Sequence, residues 1–254
     1  MNSAWSLAGQ SVLVSGANRG IGRAIAQECL ELGATVYFFA RNAEQVSETQ
    51  RVWQHAGFTA FGLAGDISDT AFCADLVQWI KTNGAGLNAV FHNVGTNIRK
   101  KLLDYDEQEI QQVFATNLMA PIHLTRLLFP LLVPQKASMV FISSVAGLTH
   151  LRTGSPYAMT KAALHQLTRN LAVEWAGQGI RVNAIAPWYT QTPLAETVLS
   201  NPDYRAEVLA RTPLGRIANA EEVARAAVFL ALPAASYITG QVLAVDGGFT
   251  IHGF

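Results

Sequence analysis

Short runs rich in β-branched and aromatic residues alternate with longer helical patterns along the whole chain, and that alternation leaves few folds open. Strands are expected at 11–15, 35–40, 59–63, 88–92, 139–142, 181–186 and 241–245. Helices are expected between them at 21–32, 43–55, 70–82, 107–132, 157–176 and 221–232. Strands separated by helices pair in parallel, so the pattern predicts an α/β, doubly wound parallel sheet of about seven strands with helices on both faces. No repeat, low-complexity segment or linker divides residues 1–254, and one domain is expected. The stretch 187–218 shows neither period; an irregular segment of that length is expected to be functional, a loop covering substrate from about 188 to 218.

The first strand runs into Ser-Gly-Ala-Asn-Arg-Gly-Ile-Gly, which places Gly16, Gly20 and Gly22 between strand and helix. Glycines there allow a tight turn and close approach to a pyrophosphate held at the helix N-terminus, the Rossmann-type arrangement. The residue that selects between nucleotides is expected at the end of the second strand, where an acid would bind a ribose 2′-hydroxyl. This chain reads Tyr-Phe-Phe-Ala-Arg-Asn there, with Arg41 at the end and Arg19 in the glycine turn. Two guanidiniums and no carboxylate suit a 2′-phosphate, so NADPH/NADP+ is the expected cofactor.

Ser144 ends the fifth apolar run, and Tyr157 and Lys161 stand thirteen and seventeen residues later at the start of a helical pattern. Residues four apart share one helix face. A phenol ionises near ~10 and an ammonium near ~10.4, so a nearby cation and hydroxyl are needed to make the phenol a useful acid. The bland alternative is a helix-start tyrosine with a solvated lysine.

Lys+Arg and Asp+Glu number 18 each, half the residues are hydrophobic and only 14% are charged. Charge balance disfavours nucleic-acid and anionic-membrane partners, which call for a basic excess. Cys29 and Cys73 lie in helical patterns without a CxxC, as in a reduced, cytoplasmic protein. The first residues lack a basic, apolar leader, and no uninterrupted apolar run nears the ~20 residues of a membrane span. His55, His123, His165 and His252 show no ligand spacing, so no metal is expected.

Taken in order, SGANRGIG, Asp66, His92–Gly95, Asn117, Ser144, YAMTK, RVNAIAP and the PAASYITGQVLAVDGGF ending resemble the short-chain dehydrogenase/reductase family, and within it tropinone reductase-like members. The resemblance covers essentially the whole chain. It implies a catalytic tetrad of Asn117, Ser144, Tyr157 and Lys161. Tyr157 would protonate a carbonyl oxygen and Ser144 would polarise it. Lys161 would lower the tyrosine pKa and bind the nicotinamide ribose, and Asn117 would order a water. It also implies cofactor contacts from Gly16, Asn18, Arg19, Gly20, Ile21 and Gly22, from Arg41, and from Asp66 and Ile67 at the adenine. Asn93, Val94, Gly95 and Pro187 follow along the cofactor, with Thr190 and Thr192 at its carboxamide. The implied activity is NADPH-dependent reduction of a small, largely apolar ketone, cyclic or aryl, by a homotetramer. The rivals are oxidation of an alcohol with NAD(P)+ and a nucleotide-sensing module without catalysis.

Three positions depart from the family pattern: His92 replaces an asparagine, Trp188 a glycine, and Gly154 the glutamate that one tropinone reductase uses for its amine substrate. Leu148, Leu151, Trp188, Tyr189, Leu194 and Val198 are expected to wall the substrate pocket, with His150 its only ionisable candidate. No arginine is expected there, which disfavours 2-oxo acids. Small residues Ala162 and Ala163 with Gln166 and Asn170 predict helix pairing across a two-fold axis, together with the helix at 107–132. Pro121, four residues after Asn117, predicts a kink that leaves the Asn117 carbonyl without its helical donor.

Overall fold

The computed structural model describes residues 3–84 and 86–253. Its strands are β1 (Ser11–Ser15), β2 (Thr35–Ala40), β3 (Ala60–Ala64), β4 (Ala89–His92), β5 (Ser138–Ile142), β6 (Arg181–Pro187) and β7 (Val242–Val245). They form one sheet in the order β3-β2-β1-β4-β5-β6-β7, and every pairing is parallel. Residues alternate across β1: Val12 and Val14 join one core, Leu13 the other.

The first core lies under α1 (Gly20–Glu31), α2 (Ala43–His55) and α9 (Ala220–Ala231), where Ile25, Trp53 and Ala227 are buried against Phe38. The second lies under α3 (Thr70–Asn83), α5 (Ala120–Leu132) and α6 (Ser155–Glu174), with Leu76, Leu124, Leu128 and Leu164 buried against Tyr37 and Phe141. The chain reverses its direction of travel across the sheet at β1, so a crevice opens between the carboxyl ends of β1 and β4.

Element ends differ from the expected ones by one or two residues, and two differences go further. The stretch 187–218 is not an irregular loop: it contains α7 (Pro193–Leu199) and α8 (Pro202–Ala210). Each starts at a capping residue followed by proline. Thr192 accepts a hydrogen bond from the Ala195 amide at 3.2 Å, and Asn201 one from the Tyr204 amide at 3.0 Å. The helix expected at 107–132 is α4 (Glu107–Phe114) and α5 joined by a π-helical turn, Ala115–Met119. Pro121 has no N–H to give the Asn117 carbonyl, so the α-helical ladder cannot run through unchanged.

The combined run Glu107–Gln135 is long and apolar enough to cross a membrane by length and composition, with a mean hydropathy of 1.2 over its apolar window. Its leucines pack on the sheet instead, and His123, Thr125 and Arg126 interrupt the apolar sequence.

Candidate active site

A cleft of about 790 Å3 lies over the carboxyl ends of the central strands. Its outer end is built by the glycine turn. α1 begins at Arg19 with no side-chain cap, leaving its first amides available to an anion. Gly22 is where that turn meets the sheet: a Cβ there would collide with the Gly16 carbonyl and the Asn93 amide nitrogen. Asn93 holds both sides together, its Nδ2 donating to the Ser15 carbonyl at 3.0 Å while Ser15 Oγ accepts from the Asn93 and Val94 amides at 2.8 and 3.1 Å.

Gly16, Asn18, Arg19, Gly20, Ile21, Arg41, Asp66, Ile67, Asn93, Val94 and Gly95 line this half, and Pro187, Thr190 and Thr192 line the inner half. Gly22 supports the turn from behind. For Asp66, burial alone would raise the pKa, but hydrogen bonds from Ser68 and the charge of Arg41 hold it below the usual carboxylate value. The cradle and the uncapped helix start fit the pyrophosphate of a nicotinamide dinucleotide, and Arg19 and Arg41 line the same end of the cleft.

The tetrad residues converge at the inner end. Ser144 caps a short turn, Val145–Gly147, accepting from the Ala146 amide at 3.1 Å, so its own hydroxyl proton is free to point outward. It acts on the neighbouring Tyr157 phenol, lowering its pKa against the effect of burial; Tyr157 lies half-buried on the first turn of α6. One turn on, the Lys161 ammonium donates to the Ile142 carbonyl at 3.0 Å and sits 5.5 Å from the centroid of the Tyr157 ring. Asn117 lies behind them in the π-helical turn; its side chain exchanges two 2.8 Å hydrogen bonds with the backbone of Thr96 and donates to Thr160 at 3.3 Å.

The electrostatics differ from expectation. Burial holds the Tyr157 phenol above its ordinary value, opposed by the Ser144 hydrogen bond and the charge of Arg99. Burial also lowers Lys161 to about 8. The lysine donates to a backbone carbonyl and lies over the Tyr157 ring face, and the charge of Arg99 also lowers the phenol's pKa.

The substrate end is only partly the expected one. Leu151, Trp188, Tyr189 and Leu194 line the cleft; Leu148, His150 and Val198 do not. Gly147 packs so tightly on α6 that an added Cβ would lie 2.7 Å from the Ala162 nitrogen. From there the chain turns outward, exposing Leu148 and His150 before Leu151 returns. Val198 instead packs in a small cluster with Leu199 and Val208, between α7 and α8. Trp188 is fixed by a 3.0 Å hydrogen bond to Thr212 and by stacking on Phe249 at 3.7 Å, and Tyr189 is tied by a 2.5 Å hydroxyl contact to Tyr204 on α8.

Arg99, Asn97, Thr153 and Gln112 also line the cleft and were not anticipated; Arg99 overturns the expectation of a pocket without arginine. No short-range pattern marks the stretch after β4, although the arginine itself was visible.

The departures have structural reasons. His92 is buried, held neutral by desolvation with its pKa near 3, stacked on Phe141 and bonded through Nε2 to Thr125 at 2.9 Å. It thus ties β4 to α5. Gly154 has φ of 93°, and a Cβ there would run into the Tyr105 hydroxyl, which is bonded to the Ile98 carbonyl. Tyr105 therefore occupies the space into which a glutamate at 154 would have to grow.

The family model described as Enoyl-(Acyl carrier protein) reductase matches residues 16–250. A tropinone reductase homologue of Arabidopsis thaliana is 47% identical over 252 residues, 98% of this chain and 96% of that protein. Among solved structures, a gluconate 5-dehydrogenase from Burkholderia cenocepacia in complex with NADP and tartrate superposes with a TM-score of 0.95 at 27% identity, covering 99% of each chain. The RhlG/NADP active-site complex of Pseudomonas aeruginosa has a TM-score of 0.92 at 35% identity, covering 98% of this chain and 99% of that one. With its parallel sheet, its glycine turn and near-complete overlap with these relatives, the chain belongs to the short-chain dehydrogenase/reductase family of oxidoreductases.

Proposed function

We propose that the protein is an NADP(H)-dependent carbonyl reductase that converts a small ketone to a secondary alcohol. The observation that carries this reading is the convergence of Ser144, Tyr157 and Lys161 at one end of a cleft whose other end presents Arg19 and Arg41. When bound, NADPH supplies the hydride.

Ser144 and Tyr157 hold the ketone oxygen between two hydroxyls, and Tyr157 gives up its proton as charge develops on that oxygen. The phenolate left behind is favoured by Ser144, by the field of Arg99 and by the nearby Lys161 ammonium. Asn117 keeps the 93–97 stretch against α6 through its paired bonds to Thr96. Leu151, Trp188, Tyr189 and Leu194 give the substrate an aromatic and aliphatic wall, so part of its recognition is burial at about 25 cal/mol per Å2. The same groups run in reverse would oxidise an alcohol, a direction supported by the name of the Burkholderia neighbour. A cytoplasmic homotetramer is the assembly and location this reading takes.

Initial rates with a ketone panel, followed by loss of NADPH absorbance, test the proposal. Each charge-assisted contact to a 2′-phosphate contributes roughly 1.5–3 kcal/mol, so NADPH is expected to exceed NADH in kcat/KM by at least about tenfold. Arg41→Asp is expected to erase that preference. Equal kcat/KM with the two cofactors, or a panel left unreduced, would refute it.

A further inference from the structure

Four cationic side chains line the cleft among the described residues. Arg19 and Arg41 stand at the outer end and Lys161 lies beside Tyr157, while Arg99, whose field reaches Tyr157, has no partner for its own guanidinium. Its neighbours are paired: Lys100 with Glu109 at 2.5 Å, and Arg152 with Glu207. Arg99 forms no ion pair, and its Nε is buried without a hydrogen-bond partner. It lines the same cleft as Tyr157 and Tyr189, and its charge acts on both phenols. The single carboxylate lining the cleft, Asp66, is at the other end, next to Arg41.

A second buried group beside it also lacks a partner. Asn97 donates from Nδ2 to Thr153 at 2.5 Å, while its Oδ1 is buried and unbonded. Tyr105 clamps the stretch between them through the Ile98 carbonyl. An unmatched buried donor costs about 1–3 kcal/mol, more when charged, and persists where a ligand completes it. A guanidinium fork matches a carboxylate.

We propose that Arg99 binds a carboxylate carried by the ketone substrate, so that the preferred substrates are oxo acids and the products hydroxy acids. This rests on the carbonyl-reductase reading and narrows it. The apolar wall of Trp188 and Tyr189 takes the body of the molecule, and Arg99 with the Thr153 hydroxyl takes its anionic end; Asn97 Oδ1, an acceptor, suits a hydroxyl of the substrate and not the carboxylate. Amine substrates are disfavoured, because the described residues of this end offer a cation and no acid.

The test compares 2-, 3- and 4-oxo acids with their methyl esters in the unaltered protein and in Arg99→Gln and Arg99→Lys. At least one acid is expected to exceed its ester about tenfold or more in kcat/KM, mainly through KM. Arg99→Gln should abolish that ratio and Arg99→Lys should restore part of it. Any loss through the field on Tyr157 would slow acid and ester alike and leave the ratio unmoved.

Calorimetric titration of the matching oxo acids into the NADP+-loaded enzyme, a pairing with no hydride to transfer, provides a readout without turnover. No acid preferred over its ester, or a preference that survives Arg99→Gln, overturns the proposal. If no ketone is reduced while acid binding still depends on Arg99, the reductase reading fails and the carboxylate site stands. If no ketone is reduced and no acid binds, both fail.

Discussion

Lys161 is 4% exposed, and its ammonium has one neutral partner, the Ile142 carbonyl. Burial lowers its pKa from 10.5 to about 8, so below pH 8 the folded protein holds a charge that the unfolded chain hydrates better. Between about 8 and 10.5 the unfolded chain binds the proton and the folded one has released it, so stability rises with pH across that window. Relative to Lys161→Met, the unaltered protein is expected to gain about 3 kcal/mol between those limits, measured by denaturant unfolding at several pH values. A difference independent of pH would show that the ammonium is solvated. Turnover of Lys161→Met is expected to fall by about 100-fold or more. At this scale the helical spacing of Tyr157 and Lys161 showed only that they share a face; their catalytic roles, with Ser144 and Asn117, were implied by the resemblance of the whole ordered motif set. Arg99 was not legible in either way, because the residues that share its cleft come from β5, α6 and the segment after β6.

The π-helical turn Ala115–Met119 delivers Asn117 to the site and has a visible cause in Pro121. With alanine there, an N–H becomes available to the Asn117 carbonyl and an ordinary α-helical turn is favoured. That closure would rotate Asn117 away from its bonds to Thr96 and occupy the carbonyl at which the family resemblance implies an ordered water, the outer end of a proposed proton relay through Lys161. Pro121→Ala is expected to lower kcat several-fold and enlarge the solvent isotope effect, with little change in KM for NADPH. Unchanged turnover and isotope effect would mean that the proline only bends the helix around the core. Helices α7 and α8 show the opposite case. Their cap-and-proline signals, Thr192-Pro193 and Asn201-Pro202, were readable, but each helix is too short for an apolar period to stand out.

Across the whole molecule, one face of α6 carries Ala162, Gln166, Arg169, Asn170 and Val173, all exposed, with Val173 at 79%. Met159, on the same helix, and Met119, at the end of the π-helical turn, are exposed as well. This face, with exposed Ala162, Val173, Met159 and Met119 beside uncharged Gln166 and Asn170, next to a long apolar helix, is the surface expected to pair with a second copy, within a tetramer. Light scattering at micromolar concentration is expected to give four chains, and Ala162→Glu to give fewer, because its charge would face its own copy across the axis. A monomeric unaltered protein would contradict this.

What the sequence by itself determined was everything carried by local period and order. The strand–helix alternation specified a parallel sheet, the glycines specified a strand-to-helix turn, and Ser144, Tyr157 and Lys161 announced a proton donor. Even the requirement at Gly154 was half visible as a missing glutamate. Tertiary structure decided what depends on distance in space. It put Tyr105 where that glutamate would grow, turned Leu148 and His150 out of the cleft, and brought Arg99 into the cleft that Tyr157 lines. The physical reason is that a period of 2 or 3.6 reports which side of an element a residue occupies. Which residues from separate elements share one cavity follows only from how the sheet twists and the loops pack over it.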